Sequence, residues 1–178
     1  MSEEKKEKWL NYLALATVIF AVCATLSTFK GGGFSTRSVL SQSQASDQWA
    51  YYQSKSIKGY VYELQKEKLD LELKAGSRLP ASLKEEYEKK IDSYGKKIAR
   101  YEEEKVKIEK DAKRLESVRD EAQRHAQAFG MAVIFLQIAI LLSSIAALMK
   151  KRIVWMLGLL TGISGIVYFI NGFFLFLT

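Results

Sequence analysis

Three long apolar stretches divide this chain and constrain its fold more than any other feature. They cover residues 9–29, 129–149 and 153–177, and none of them contains Asp, Glu, Lys or Arg. A helix of about 20 apolar residues spans a hydrocarbon core about 30 Å thick, with its backbone groups hydrogen-bonded internally. The sequence therefore predicts an all-α integral membrane protein with three transmembrane helices.

Basic residues at two short segments predict how these helices are oriented. Residues 1–8 include three lysines, and residues 150–152, which join the second and third stretches, are all basic. The positive-inside rule places both segments in the cytoplasm, and three spans satisfy both at once. Residues 36–128 are then outside the cytoplasm. The alternative, that the first stretch is a cleaved signal peptide, is disfavoured by its length and by Val22 before Cys23.

A glycine triplet, Gly31, Gly32 and Gly33, follows the first apolar stretch. Glycine loses more backbone entropy in a helix than any other non-proline residue and readily adopts the left-handed conformation that ends helices. We therefore expect the first membrane helix to end here, with a hinge over residues 30–35. A phosphate-binding loop is excluded, because no Gly-Lys-Ser/Thr follows the glycines.

The region from 36 to 128 reads as two helical arms joined at a tip over residues 76–81. Pro80 precedes Ser82 and Glu85, a capping-box pair that predicts a helix start. We expect an antiparallel, coiled-coil-like hairpin that continues into the second membrane helix. On the first arm one helix face carries Ala50, Gln53, Ile57, Tyr60, Leu64 and Leu71. The second arm has a heptad pattern at Tyr87, Ile91, Tyr94, Ile98, Tyr101, Lys105, Ile108, Ala112, Leu115, Arg119, Ala122, Ala126 and Phe129.

The two arms differ sharply in charge. Between Ser82 and Arg124, 25 of 43 residues are charged, whereas Asp47 is the single charge in the 17 residues from Ser38 to Ser54. A segment so poor in charge is not typical of a solvated helix, so we expect the first arm to be covered by another copy of the chain or by a partner. The predicted interface residues are Ser43, Asp47, Trp49, Ala50, Tyr52 and Gln53.

Small and polar residues recur along the apolar stretches and predict helix packing. Glycines at GxxxG-like spacing let helix backbones approach closely, and an amide such as that of Gln137 can hydrogen-bond to another helix. Packing within one chain and packing between chains explain the pattern equally well. The predicted packing residues are Thr17, Ala21, Gln137, Gly158, Gly162, Gly165 and Gly172.

The chain offers little for catalysis. No Asp, Glu, Lys, Arg or His lies within an apolar stretch, which argues against active transport. His125 has no neighbouring cysteine or histidine cluster in the sequence, and we expect it to be a solvated residue near the membrane boundary. Basic and acidic residues alternate in the middle region, which argues against nucleic acid as a partner. We predict no catalytic residue, no cofactor and no metal.

Two segments identify a family resemblance. WLNYLALATVIFAVCATLSTFKGGG, followed by STRSVLSQSQASDQWAYYQSKSIKGYVYELQ, resembles the bacterial family known as domain of unknown function 4337, over essentially the whole chain. The resemblance implies a bacterial membrane origin and no catalytic residues. It includes the uncharged segment among the family's features without explaining it.

These observations together predict a multi-pass protein of the bacterial cytoplasmic (inner) membrane, with a cytoplasmic amino terminus. We expect a homo-oligomeric scaffold, adaptor or accessory subunit, with a membrane or periplasmic protein as an alternative partner. The second hypothesis is a weakly selective channel lined by the first membrane helix and the Ser/Gln face of the first arm. Such a channel would expose Thr17, Thr28, Ser41 and Gln42 to its pore.

Overall fold

Three helices make up the part of the chain that the structure, a computed structural model, describes: residues 2–75 and 80–177. Helix α1 is Ser2–Ala75, α2 is Ala81–Met149 and α3 is Arg152–Phe174. These residues contain no strand, and each helix has a segment long and apolar enough to cross a membrane. The all-α class and the three candidate spans are thus as predicted.

The glycine triplet does not end the first membrane helix, so that prediction is wrong. Helix α1 continues through Gly31–Gly33, and no described glycine has a positive φ. Each glycine costs about 1 kcal/mol relative to alanine in a helix. Extending a helix that is already formed on both sides is cooperative, and packing of its flanks outweighs that cost. A role of the triplet as a flexible hinge stays a prediction.

The start of α2 lies within one residue of the predicted position. The carbonyl of Pro80 accepts hydrogen bonds from the backbone N–H of Leu83 (3.0 Å) and of Lys84 (3.1 Å). The helix begins at Ala81, so Ser82 lies in its first turn instead of at its cap. Residues 76–79 of the predicted tip lie outside the described residues. As predicted, α2 has no break before its apolar segment.

A tight two-residue turn joins α2 to α3. Lys150 has the left-handed conformation (φ 51°), its N–H donates to the carbonyl of Ala147, and the N–H of Lys151 donates to the carbonyl of Ala146. This pair of bonds is the Schellman motif, which satisfies the last carbonyls of a helix. A cation at this point also interacts favourably with the carboxyl end of the helix.

Helix α3 ends three residues before the predicted limit of 177. Leu175 is left-handed (φ 51°), and its N–H donates to the backbone carbonyl of Asn171 at 2.8 Å. The buried side-chain amide of Asn171 accepts from the N–H of Leu177, also at 2.8 Å. Asn171 therefore caps α3 with both its backbone and its side chain. Thr178 lies outside the described residues.

The chain forms two compact units, Met1–Leu40 with Val118–Thr178, and Ser41–Ser117. In the first unit, the glycine stripe of α3 packs against large side chains of the same chain. A Cβ added at Gly162 would overlap the ring of Phe20, and one at Gly172 would lie 2.7 Å from Cδ1 of Phe129. Gly158 and Gly165 are buried against α2 in the same way. Of the two uses left open by the sequence, the structure shows packing within the chain.

The other predicted packing residues of the first unit do not share this role. Ala21 and Gln137 are exposed, and Thr17 is half-buried with its hydroxyl donating to the carbonyl of Leu13 at 2.8 Å. The buried face of α1 in this unit consists instead of Trp9, Leu13, Phe20, Ala24 and Ser27. A hydrogen bond from Gln137 to another helix would therefore require a helix from outside this chain.

The aromatic ring of Phe20 makes Gly162 the most sensitive glycine of the stripe. Replacing Gly162 with Ala should destabilise the protein by about 1–3 kcal/mol, because the added methyl group overpacks a filled core. Gly33 is the matched control: its Cβ would meet nothing within 4 Å. Gly33→Ala should therefore raise stability by up to about 1 kcal/mol. Thermal unfolding in detergent measures both, and equal effects of the two variants would contradict this packing.

Candidate interaction surface

In the unit formed by residues 41–117, one face of α1 is less exposed to solvent than the rest of the helix. Its positions alternate in steps of four and three, and each is buried or half-buried. We call this set the inner face. It consists of Ser41, Ala45, Gln48, Tyr52, Lys55, Gly59, Tyr62, Lys66, Leu69 and Leu73.

Lysine and tyrosine side chains provide the polar and aromatic contacts between the inner face and α2. The ammonium of Lys55 lies 2.7 Å from the carboxylate of Glu104 and 5.5 Å from the ring centre of Tyr101. Arg100 also binds Glu104, at 2.8 Å. The hydrogen bond from Lys55, and then that from Arg100, lower the pKa of Glu104, and the bond to Glu104 raises the pKa of Lys55. The pair is thus ionised at neutral pH.

A group of tyrosines continues this contact. The ring of Tyr62 lies 5.3 Å from that of Tyr94 and 6.0 Å from that of Tyr101, between ring centres. The ammonium of Lys97 lies 4.8 Å from the ring centre of Tyr62, a cation–π distance. These three tyrosines pack between the helices, whereas Tyr60 is exposed.

Two of the six predicted interface residues pack within the chain. The indole N–H of Trp49 donates to Glu116 at 2.8 Å, and its ring meets Tyr52 edge-on at 5.6 Å. The ammonium of Lys105 lies 5.3 Å from the ring centre of Tyr52. Both aromatic residues are therefore half-covered by their own chain, and their contact with another molecule stays a prediction.

The other four predicted interface residues are exposed. These are Ser43, Asp47, Ala50 and Gln53. Nothing in the structure covers them, so their contact with another molecule stays a prediction.

An exposed row of largely apolar side chains lies on the other side of α1. Ile57 is 62% exposed, Tyr60 59%, Leu64 66% and Leu71 58%. Such a row is unusual on a monomeric soluble surface and is typical of an interaction site. We call it the outer stripe. It consists of Ala50, Gln53, Ile57, Tyr60, Leu64, Glu67 and Leu71, all of which are exposed.

The exposed side of α2 has the opposite character. Lysines pair with acids four residues earlier, at 2.7 Å for Lys89 with Glu85, 2.9 Å for Lys90 with Glu86 and 2.6 Å for Lys96 with Asp92. Exposed pairs of this kind stabilise a protein only slightly. These pairs make this side of α2 strongly polar, so that it is suited to contact with water.

His125 is not the solvated residue that the sequence predicts. Its Nδ1 lies 2.8 Å from the backbone carbonyl of Gly172, and its half-buried ring stacks on Phe34 at 4.4 Å. Because a carbonyl can only accept, Nδ1 carries the proton in this contact. His125 thus ties α2 to the end of α3. No sequence pattern indicates this contact, since the partner is a backbone atom 47 residues away.

Within the described residues we find no group of three or more His, Cys, Asp or Glu side chains placed to hold a metal. A groove of about 540 Å³ in the first unit has only hydroxyl and amide groups as its polar side chains. Its lining residues are Gly31, Gly32, Ser35, Ser38, Val39, Gln123, Ala126 and Gln127. This groove contains no acid–base pair and no activated nucleophile of the kind that catalysis uses.

Comparison with known proteins identifies the family. The chain belongs to the family described as Domain of unknown function (DUF4337), which matches residues 9–175. The resemblance seen in the sequence is therefore correct. No curated protein matches the chain, and no solved structure matches it.

The ion pair of Glu104 predicts how the second unit responds to acid. Since the folded-state pKa of Glu104 lies below its ordinary value of 4.5, the pair stabilises the unit above that pH. The stabilisation is lost as pH falls through the lowered pKa. Glu104→Gln should lower the melting temperature at pH 7 and reduce its further decrease at acidic pH. Glu103→Gln, at an exposed position, is the control, and an equal loss in both variants would contradict the role of the pair.

Proposed function

We propose that this member of the family is a non-enzymatic, homo-oligomeric scaffold, adaptor or accessory subunit of the bacterial cytoplasmic membrane. Its three apolar helices cross the bilayer, with the basic segments 1–8 and 150–152 in the cytoplasm. Residues 36–128 form a coiled-coil-like hairpin outside the cytoplasm. The ion pair of Lys55 with Glu104 and the contact of Lys97 with the ring of Tyr62 support the hairpin.

The observation that carries this proposal is the contrast between the two exposed sides of the second unit. The exposed side of α2 is covered with ion pairs, and that of α1 with Ile57, Tyr60, Leu64 and Leu71. In water, an exposed apolar row is covered favourably by another apolar surface. An assembly of copies with α1 inside and α2 outside covers the apolar row of α1 and leaves the ion pairs of α2 in water.

The channel hypothesis has no comparable support. A pore needs the lining groups free to face water, but Ser41 is buried within the chain. Of the other three proposed lining residues, Thr17 is half-buried, whereas Thr28 and Gln42 are exposed.

A charge placed in the outer stripe tests self-association. Leu64→Glu should convert the assembly to smaller species while leaving membrane insertion intact, because a charge buried between copies loses its hydration. Glu103→Lys on α2 should leave the assembly unchanged. The measurement is particle mass in lipid nanodiscs and in detergent. If the unmodified protein is a monomer in both, the homo-oligomer proposal is wrong.

Accessibility to a reagent tests the proposed orientation. In a Cys23→Ser background, Lys58→Cys should react with a membrane-impermeant maleimide in intact cells, because residue 58 is placed outside the cytoplasm. Lys151→Cys should react only after the cells are permeabilised. Reaction of Lys151→Cys alone in intact cells would reverse the topology.

A further inference from the structure

We propose that the outer stripe of α1 binds the same stripe of a second copy, with the two helices parallel and in register. This inference rests on the self-association proposed above and adds its partner surface, direction and register. It is carried by the spacing of the stripe, by its position opposite the inner face, and by the charges beside it.

The spacing of the stripe is that of a coiled-coil seam. Ala50, Ile57, Leu64 and Leu71 recur every seven residues, and Gln53, Tyr60 and Glu67 follow three residues after the first three of them. These are the a and d positions of a heptad, at which two helices of a coiled coil pack by knobs-into-holes contacts. From residue 50 to residue 71 the stripe extends about 32 Å along the helix.

The position of the stripe leaves it free for a second helix. In the same heptad, the inner face occupies the c and f positions, among them Tyr52, Lys55, Gly59 and Tyr62. These positions lie on the opposite side of the helix from a and d. Helix α1 can therefore contact α2 on one side and another α1 on the other without competition between the two contacts.

The charges beside the stripe favour parallel helices. Glu63 is at a g position and Lys68 at the e position five residues later, the two that face each other across a parallel coiled coil. Lys68 has only a long 4.0 Å pair with Glu72, and its side chain is 69% exposed. Antiparallel helices would instead oppose g positions with each other, and these include both Glu63 and Asp70. Copies inserted into one membrane with one topology also have α1 in the same direction.

Glu67 is the one charged residue in the seam. In a parallel, in-register pair its carboxylate faces the same carboxylate of the second copy, which weakens the contact. Polar residues at such positions lower stability and select register. Glu67→Leu should therefore tighten the assembly, a result expected only if residue 67 lies at the contact between copies.

Two experiments on the full-length protein in nanodiscs and detergent test this inference. In a Cys23→Ser background, Ala50→Cys, Ile57→Cys and Leu64→Cys should each form a disulfide-linked dimer on oxidation. The control Lys58→Cys, at an exposed residue that is not part of the seam, should not form this dimer. Self-linking at several successive a positions occurs only when the helices are parallel and in register, since an antiparallel pair opposes a given residue to itself at one point at most.

The second experiment exchanges the flanking charges. Glu63→Lys and Lys68→Glu should each raise the apparent dissociation constant about tenfold, because like charges then face each other at two symmetric places. The double variant should return to within about twofold of the parent. Lys68→Gln controls for loss of the pair with Glu72, and helical content measured by circular dichroism shows that the variants remain folded.

The outcomes separate this inference from the proposal on which it rests. If the unmodified protein associates but the seam cysteines do not link and the double variant is no better than the single ones, the parallel seam is wrong and the scaffold proposal stands. If the unmodified protein is a monomer, both are wrong. Linking at the a positions together with charge rescue establishes the seam.

Discussion

The contacts between α1 and α2 determine which side of α1 is exposed in the second unit. In these contacts, Lys55 and Tyr62 of α1 meet Glu104, Tyr94 and Tyr101 of α2. An ion pair and stacked rings on the inner face leave the outer stripe of α1 on the opposite side. The ion pair favours one rotation of α1 about its axis, since Lys55 must face α2 to reach Glu104. The α1 surface available to another molecule therefore includes the largely apolar outer stripe.

Much of this architecture follows from hydrophobic pattern alone. Three uncharged stretches predict three candidate spans. The capping-box pair Ser82 and Glu85 after Pro80 predicts the start of α2 to within one residue, although Ser82 is not its cap. None of the thirteen heptad positions of the second arm is exposed. These features succeed because burial of apolar side chains repeats with helical period over many residues, so that single exceptions change little.

The features that the sequence did not predict depend on single contacts or on competition between two faces. Glycine propensity predicted a helix end at Gly31–Gly33, but the helical segments on either side carry α1 through it. The spacing of the residues from Ala50 to Leu71 showed that they share one face of α1. It could not show that this face is exposed, because Tyr52 and Tyr62 belong to a second face with the same helical period. The contacts of His125 and Asn171 are with backbone groups, which leave no pattern in sequence.

In the proposed assembly, α1 contacts α2 through one face and another copy of α1 through the other. A direct test is single-particle imaging of the full-length protein in lipid nanodiscs, at a resolution that separates helices. We predict α1 residues 50–71 from different copies in contact with one another, with the charged side of α2 outside. An assembly held together through α2, or particles that contain one copy each, would contradict this arrangement of helices.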